Sequence, residues 1–223
     1  MNVSLRPHPL EKMDAILISV ELPFQPSDRM KKTIENLAKA FVGESQARNR
    51  YTWYAKTAKV EGYEQISAVF LETAEQERSH ASSLWKMIQG LKKKENLDFE
   101  ALTFDAEFPA VQGCTADNLK AAIAGENHET ECMYPEFADV AEKEGYADIA
   151  ARLRAIGRAE KHHETKYQKL LALVESGTVF KEKKKTKWVC RECGYEHEGT
   201  EPPEKCPSCE HPRSYFQRRC VDL

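Results

Sequence analysis

Acidic and imidazole side chains stand in this chain where apolar ones belong. From Ile66 to Leu91 one stripe runs Ile66, Phe70, Thr73, Glu77, His80, Leu84, Met87 and Leu91. Steps of four and three keep side chains on one face of a helix, so Glu77 and His80 fall in the middle of a buried face. Three other stripes repeat the pattern. The first runs Ile34, Leu37, Phe41, Glu44, Arg48, Tyr51, Ala55, Ala58; the third Leu119, Ala122, Glu126, Glu129, Met133, Phe137, Val140; the fourth Ile149, Leu153, Ile156, Glu160, His163, Tyr167, Leu170, Val174. A carboxylate buried without a partner is strongly unfavourable. Arg48 and Arg158 are too few to neutralise so many acids, so these helices need a cation between them. Carboxylates with two imidazoles suit iron or manganese better than thiol-loving metals.

A second group of ligand types lies near the C-terminus. Cys190-x-x-Cys193 and Cys206-x-x-Cys209 are two paired turns separated by twelve residues, the spacing of a tetrahedral four-thiolate site. Zinc ribbons and one-iron electron carriers share this spacing. The surrounding Cys193-Gly194-Tyr195 and Cys206-Pro207-Ser208-Cys209, with Trp188 and Phe216 as packing aromatics, favour iron, with zinc as the alternative. The chain has 7 cysteines, an odd count that points to a reducing compartment rather than a disulfide framework; we expect a cytoplasmic protein. Cys114, Cys132 and Cys220 are expected to be inert or surface thiols.

The elements that must hold these groups follow from the stripes. Helices are expected over 28–58, with Ser27 or Asp28 as N-cap, over 63–90, over 115–145 and over 146–175. Residues 91–115 carry no helical stripe and suit the crossover of a one-crossover bundle. The two helix pairs look duplicated. Glu61-Gly62-Tyr63 precedes Glu77 by the same sixteen residues that separate Glu144-Gly145-Tyr146 from Glu160, and Gly43-Glu44 matches Gly125-Glu126. Glu44 to Tyr51 is seven residues, however, whereas Glu126 to Tyr134 is eight. One residue has entered the third helix, and a helix absorbs a single insertion as a π-bulge. Glu129 lies in that interval, where the first half has Ala47.

The remainder bounds the partners. A net charge of −3 gives no general attraction to nucleic acid or anionic membrane. Residues 15–24 are too short to span a bilayer and lack a cleavage signal, so neither a signal peptide nor an anchor is expected. The domain reading is an N-terminal extension at 1–29 (an arm or an over-called gene start), a bundle at 30–176, a lysine-rich solvated linker at 177–187 and a small cysteine domain at 188–223.

Taken together, Phe41-Val42-Gly43-Glu44-Ser45-Gln46-Ala47-Arg48-Asn49-Arg50-Tyr51, Glu77-Arg78-Ser79-His80, Gly125-Glu126-Asn127-His128-Glu129, Glu160-Lys161-His162-His163 and the four cysteines resemble the rubrerythrin family over residues 30–218. The resemblance implies a mainly α chain: a ferritin-like four-helix bundle followed by a rubredoxin-like domain. It implies two non-haem irons in the bundle and one iron in the four-cysteine site, and a peroxidase that reduces hydrogen peroxide to water in oxidative-stress defence. Carried over, Glu77 and Glu160 bridge the irons, Glu44 and Glu126 are terminal ligands, and His163 binds one iron. At the other iron Glu129 is the ligand when oxidised and His80 when reduced. Tyr51 and Tyr134 are read either as hydrogen-bond partners of ligand carboxylates or as ordinary core tyrosines. The resemblance further implies a head-to-tail homodimer fed by an external donor, a reductase or a rubredoxin. A ferroxidase of ferritin type, and a bundle with a zinc ribbon that only binds partners, are the other classes to be separated.

Overall fold

The computed structural model describes residues 32–219. Four long helical segments carry the chain. Helix α1 spans Lys32–Val60 and α2 Glu64–Lys94; α3 (Thr115–His128), a π-helical turn (Glu129–Met133) and α4 (Tyr134–Lys143) form one continuous third helix; α5 spans Ala147–Glu175. The π turn occupies the interval in which the inserted residue was noted. The N-cap expected at Ser27 or Asp28 lies outside the described residues.

Helix α2 runs to Lys94, further than its apolar stripe predicts. Lys92, Lys93 and Lys94 close its last turn, where positive charge complements the helix dipole, and the Glu95 amide bonds the Leu91 carbonyl at 2.9 Å.

The duplicated turns repeat the same bonds. Gly62 (φ 82°) and Gly145 (φ 88°) take the left-handed conformation that ends a helix without a Cβ penalty. The Tyr63 amide donates to the Ala58 carbonyl and the Tyr146 amide to that of Ala141, both at 2.8 Å. The glutamate before each glycine then caps a helix of the other pair. Glu144 accepts the amides of Lys32 (2.9 Å) and Thr33 (3.0 Å) and the Thr33 hydroxyl (2.7 Å) at the start of α1. Glu61 accepts the Thr115 amide at 3.0 Å at the start of α3. A carboxylate there satisfies an orphan N–H and meets the positive end of the dipole, so each helix pair fixes the other's entry into the bundle.

One end of the bundle core is aromatic. Tyr51, Phe70 and Tyr167 are buried together, with ring centroids 5.0 to 5.9 Å apart. Beyond α5 a small antiparallel sheet has strand order β2-β1-β3, from β1 (Thr186–Cys190), β2 (Glu196–Gly199) and β3 (Phe216–Arg218). Trp188 and Phe216 form its core with Cys190 and Cys206, as their placement beside the cysteines suggested. The sheet begins at Thr186, two residues before the domain start expected from composition. The lysines at 181 and 183–185 are exposed, yet the linker backbone is tied down. The Arg218 guanidinium donates to the carbonyls of Thr178 (2.6 Å), Val179 (3.1 Å) and Lys181 (2.9 Å) and to the Glu182 carboxylate (2.5 Å). The small domain meets the α1–α2 turn, where a Cβ at Gly62 would stand 3.7 Å from Ser214 Cβ, and Phe180 of the linker stacks on Tyr63.

Candidate metal centre

The four helical segments bring Glu44 (α1), Glu77 and His80 (α2), Glu126 (α3) and Glu160 and His163 (α5) into one buried cluster. Two overlapping sets have ligand atoms within 4.8 Å of one another: Glu44, Glu77, His80 and Glu160; and Glu77, Glu126, Glu160 and His163. Glu77 and Glu160 belong to both. Each offers one oxygen to each set. His80 Nδ1 lies 3.0 Å from Glu77 Oε2 and 2.8 Å from Glu160 Oε1, while His163 Nδ1 lies 3.2 Å from Glu77 Oε1 and 2.7 Å from Glu160 Oε2. Glu44 Oε2 stands 3.8 Å from His80 Nδ1, and Glu126 Oε2 3.4 Å from His163 Nδ1. The arrangement is that of two adjacent cation sites bridged by two carboxylates.

Whether a metal pair fits is decided by the polar atoms left over. Glu44 Oε2, Glu77 Oε1, Glu126 Oε2, both oxygens of Glu160 and His163 Nδ1 are buried without a hydrogen-bond partner among the described residues. Such atoms are costly unless something coordinates them, and here they all face one another. Their opposite atoms, by contrast, are held. Tyr51 donates to Glu126 Oε1 at 2.5 Å and Tyr134 donates to Glu44 Oε1. Each tyrosine thus braces a carboxylate from the other helix pair. The π turn makes this possible, because it absorbs the extra residue between Glu126 and Tyr134 and returns Tyr134 to the phase of Tyr51.

Electrostatics point the same way. Burial pushes the carboxyls of Glu44, Glu126 and Glu129 up, that of Glu126 to about 8. Glu77 is also desolvated, but the His163 and His80 imidazoles outweigh burial and hold it at about 2. Burial opposes a charge on both imidazoles too; the surrounding carboxylates prevail and raise His163 to about 12, and His80 in the same direction. Without metal, the site draws in protons to supply the positive charge its acids require.

Glu129 stands apart from both ligand sets. It sits in the π turn, 8 % exposed, and lines a cavity of about 220 Å³ with Gly43, Gln46, Arg50, Gly125 and His128. The structure therefore places His80 among the shared carboxylates and Glu129 beside them, at the wall of a cavity.

The four cysteines form a second cluster. Sγ separations are 3.7 Å for Cys190–Cys209 and 3.6 Å for Cys193–Cys206. A regular tetrahedron with metal–sulfur bonds of about 2.3 Å has edges of about 3.8 Å, so one ion fits. Two matching turns present the thiols: Gly194 and Glu210 donate to the Cys190 and Cys206 carbonyls at 2.9 Å, and the cysteine amides donate to Tyr195 and His211. The Tyr195 backbone N–H holds Cys193 down at about 6, whereas burial raises Cys190 and the neighbouring thiols raise Cys209 to about 12, so a bound cation is what would bring all four to the thiolate form. Cys114 and Cys132 are exposed and belong to neither cluster; Cys220 lies outside the described residues.

A family model described as Rubrerythrin matches residues 35–171, and one described as Rubrerythrin, rubredoxin-like domain matches residues 188–217. The chain belongs to the rubrerythrin family. Its relatives include a Methanocaldococcus jannaschii protein 62% identical over 86% of this chain and 94% of its own. The rubrerythrin of Porphyromonas gingivalis is 48% identical over 83% of this chain and 89% of its own. Among solved structures, fully reduced, all-ferrous nigerythrin aligns with a TM-score of 0.55 and 32% identity, covering 84% of this chain and 86% of that one. The fold is ferritin-like, with a di-iron carboxylate site in the bundle and a four-cysteine rubredoxin-like site after it. Among the described residues no helix is long and apolar enough to cross a membrane.

Four contributors were not found by reading the stripes. Gln76 accepts a hydrogen bond from His163 Nε2 at 2.9 Å; its signal lay in comparing the two halves, where its counterpart is Ala159. Gly157 lets Tyr134 approach, since a Cβ there would stand 3.0 Å from Tyr134 Cβ. A glycine in mid-helix, costing about 1 kcal/mol against alanine, was the available clue. Glu61 and Glu144 were visible as a repeat, but only as turn residues.

Proposed function

We propose that this rubrerythrin-family protein is an oxidoreductase that reduces hydrogen peroxide to water, as a defence against oxidative stress in a reducing, cytoplasmic compartment. The observation that carries the reading is the pair of ligand sets sharing Glu77 and Glu160, with a further acid, Glu129, beside them at a cavity wall. Two irons, when bound, supply the two electrons that cleavage of one peroxide O–O bond consumes. Glu77 and Glu160 would bridge them, with Glu44 and His80 completing one set and Glu126 and His163 the other.

The chain's own groups supply the rest. Tyr51 and Tyr134 hold Glu126 and Glu44 in place from behind, so the ligand oxygens stay directed inward. The Glu129 carboxyl, raised by burial and by Glu44, can hold a proton at the cavity wall, and water formation from peroxide consumes protons. Glu129 is also the acidic alternative to His80: an anionic oxygen suits the harder, oxidised ion and neutral imidazole the softer, reduced one.

The thiolate site is the natural electron relay to the bundle from an external reductase or rubredoxin. Within one chain, Ser214 meets Gly62, and Glu77 lies fifteen residues further along the chain in α2, roughly 22 Å at 1.5 Å per residue. A head-to-tail homodimer would shorten that path by setting one chain's cysteine domain beside its partner's bundle. Exposed Trp53, Val60 and Leu71 on α1 and α2 offer apolar surface that such an interface would cover.

The test is anaerobic. Fully reduced protein receives one equivalent of hydrogen peroxide, and both iron centres are followed optically. Rapid reoxidation by peroxide with a sluggish response to air supports the peroxidase. Fast oxidation by air with slow response to peroxide would overturn it in favour of a ferroxidase.

A further inference from the structure

The two imidazoles of the bundle occupy equivalent positions in a duplicated site, yet they are not held equally. His163 Nδ1 faces Glu77, Glu126 and Glu160, and its other nitrogen, Nε2, lies 2.9 Å from Gln76 Oε1. The direction of that bond is set from behind. The Gln76 amide nitrogen donates to Glu72 Oε1 at 3.5 Å, and Lys166 Nζ stands 3.6 Å from the same oxygen. The Gln76 oxygen therefore accepts from Nε2–H, so Nδ1 is the nitrogen that would give up its proton and turn a lone pair to a bound metal. The His163 side chain is 4 % exposed, against 17 % for His80.

The other half of the duplication lacks every member of this chain. Glu77 and His80 correspond to Glu160 and His163, and by the same offset Gln76, Glu72 and Lys166 correspond to Ala159, Ala155 and Ser83. Ala159 is half-buried like Gln76 but has no group that could accept from His80. The contacts of His80 with the site acids are all made by Nδ1.

We propose that Gln76 is a positioning residue that makes His163 a permanent ligand, and that alanine at 159 leaves His80 free to leave the metal when Glu129 replaces it. The inference deepens the peroxidase reading and rests on it for the exchange. It explains which of two like imidazoles moves: the one with no second tether among the described residues. A hydrogen bond to the distal nitrogen of a ligating imidazole fixes its tautomer and ring orientation, and its loss commonly costs about 10- to 100-fold in metal affinity.

Three variants test it. Anaerobic titration of the apoprotein with ferrous iron against a competing chelator should show Gln76→Leu weakened by about 10- to 100-fold at one of the two bundle sites. Gln76→Glu, which keeps an acceptor oxygen, should remain within about threefold of wild type. Equal affinities in wild type and Gln76→Leu, or equal losses in Gln76→Leu and Gln76→Glu, would overturn the role of Gln76. Ala159→Gln supplies the missing acceptor. X-ray absorption should count one fewer imidazole per iron pair in ferricyanide-oxidised than in reduced wild-type protein, and no such change in Ala159→Gln. An unchanged count in wild type, or the same loss in the variant, would overturn the freedom assigned to His80. The ferrous titrations need no peroxide, so failure of wild-type protein to reduce peroxide would sink the functional reading while leaving the Gln76 result standing.

Discussion

Replacing Tyr134 with phenylalanine isolates what the buried tyrosines contribute. Tyr134 donates to Glu44 Oε1, and Glu44 is 0 % exposed with Oε2 directed at His80. Removing the hydroxyl leaves Oε1 with no donor and no route to water. A buried acceptor stripped of its partner costs about 1–3 kcal/mol, which at 1.4 kcal/mol per tenfold is roughly 5- to 150-fold in affinity. Because Glu44 belongs to only one of the two ligand sets, the loss should fall on one iron and spare the other. Tyr51→Phe should do the same at the second set through Glu126. Tyr167→Phe is the matched control: equally buried and packed on Tyr51, its hydroxyl bonds no ligand carboxylate among the described residues. Anaerobic ferrous titration of the three apoproteins reads the effect as a split of one tight two-site isotherm into two steps. If Tyr134→Phe and Tyr51→Phe both bind two irons within twofold of Tyr167→Phe, the tyrosines are core residues and nothing more.

Other outcomes follow from the same geometry. Gly157→Ala places a Cβ 3.0 Å from Tyr134 Cβ; overpacking of that kind costs about 1–3 kcal/mol, so calorimetry should show a lower Tm together with the weakened iron site of Tyr134→Phe. The apoprotein should lose stability as pH rises from 5 to 8. Glu126 near 8 and His163 near 12 both bind protons more tightly folded than unfolded, so each contributes stability that falls as pH rises toward the folded value, whereas Glu77 near 2 contributes stability lost only in stronger acid. Iron replaces those protons, so thermal scans of loaded protein should lack the slope and iron uptake should release acid. Cys209→Ser should abolish the visible absorption of the thiolate iron and slow peroxide turnover from an external donor, with two irons still bound in the bundle. Arg218→Ala removes the donors that hold residues 178–182, and limited proteolysis should then cut there first.

The buried acid cluster was legible because it breaks a pattern: Glu44, Glu77, Glu126 and Glu160 interrupt stripes that otherwise name four helices and their inward faces. The π turn was legible from one surplus residue between Glu126 and Tyr134. Other features have no such periodic trace. Arg218 sits in a short tail, and only the fold shows that it ties down the linker. Glu61 and Glu144 could be seen as a repeat, but capping depends on where the other helix pair begins in space. The asymmetry of Gln76 and Ala159 was present in the duplicated sequence and became meaningful only once His163 Nε2 was seen to point at residue 76. The C-terminal turns of α2 carry lysines, so the stripe faded before the helix did.

The claim beneath all of this is that two metal ions satisfy the buried acids. Crystals of protein loaded anaerobically with ferrous iron, measured at the iron absorption edge, test it directly. The account predicts two anomalous peaks in the bundle, each beside one imidazole, with Glu77 and Glu160 common to both, and a third peak among the four cysteines. A bundle with no peak, or with Glu44 and Glu126 turned away from a single bound ion, would contradict it.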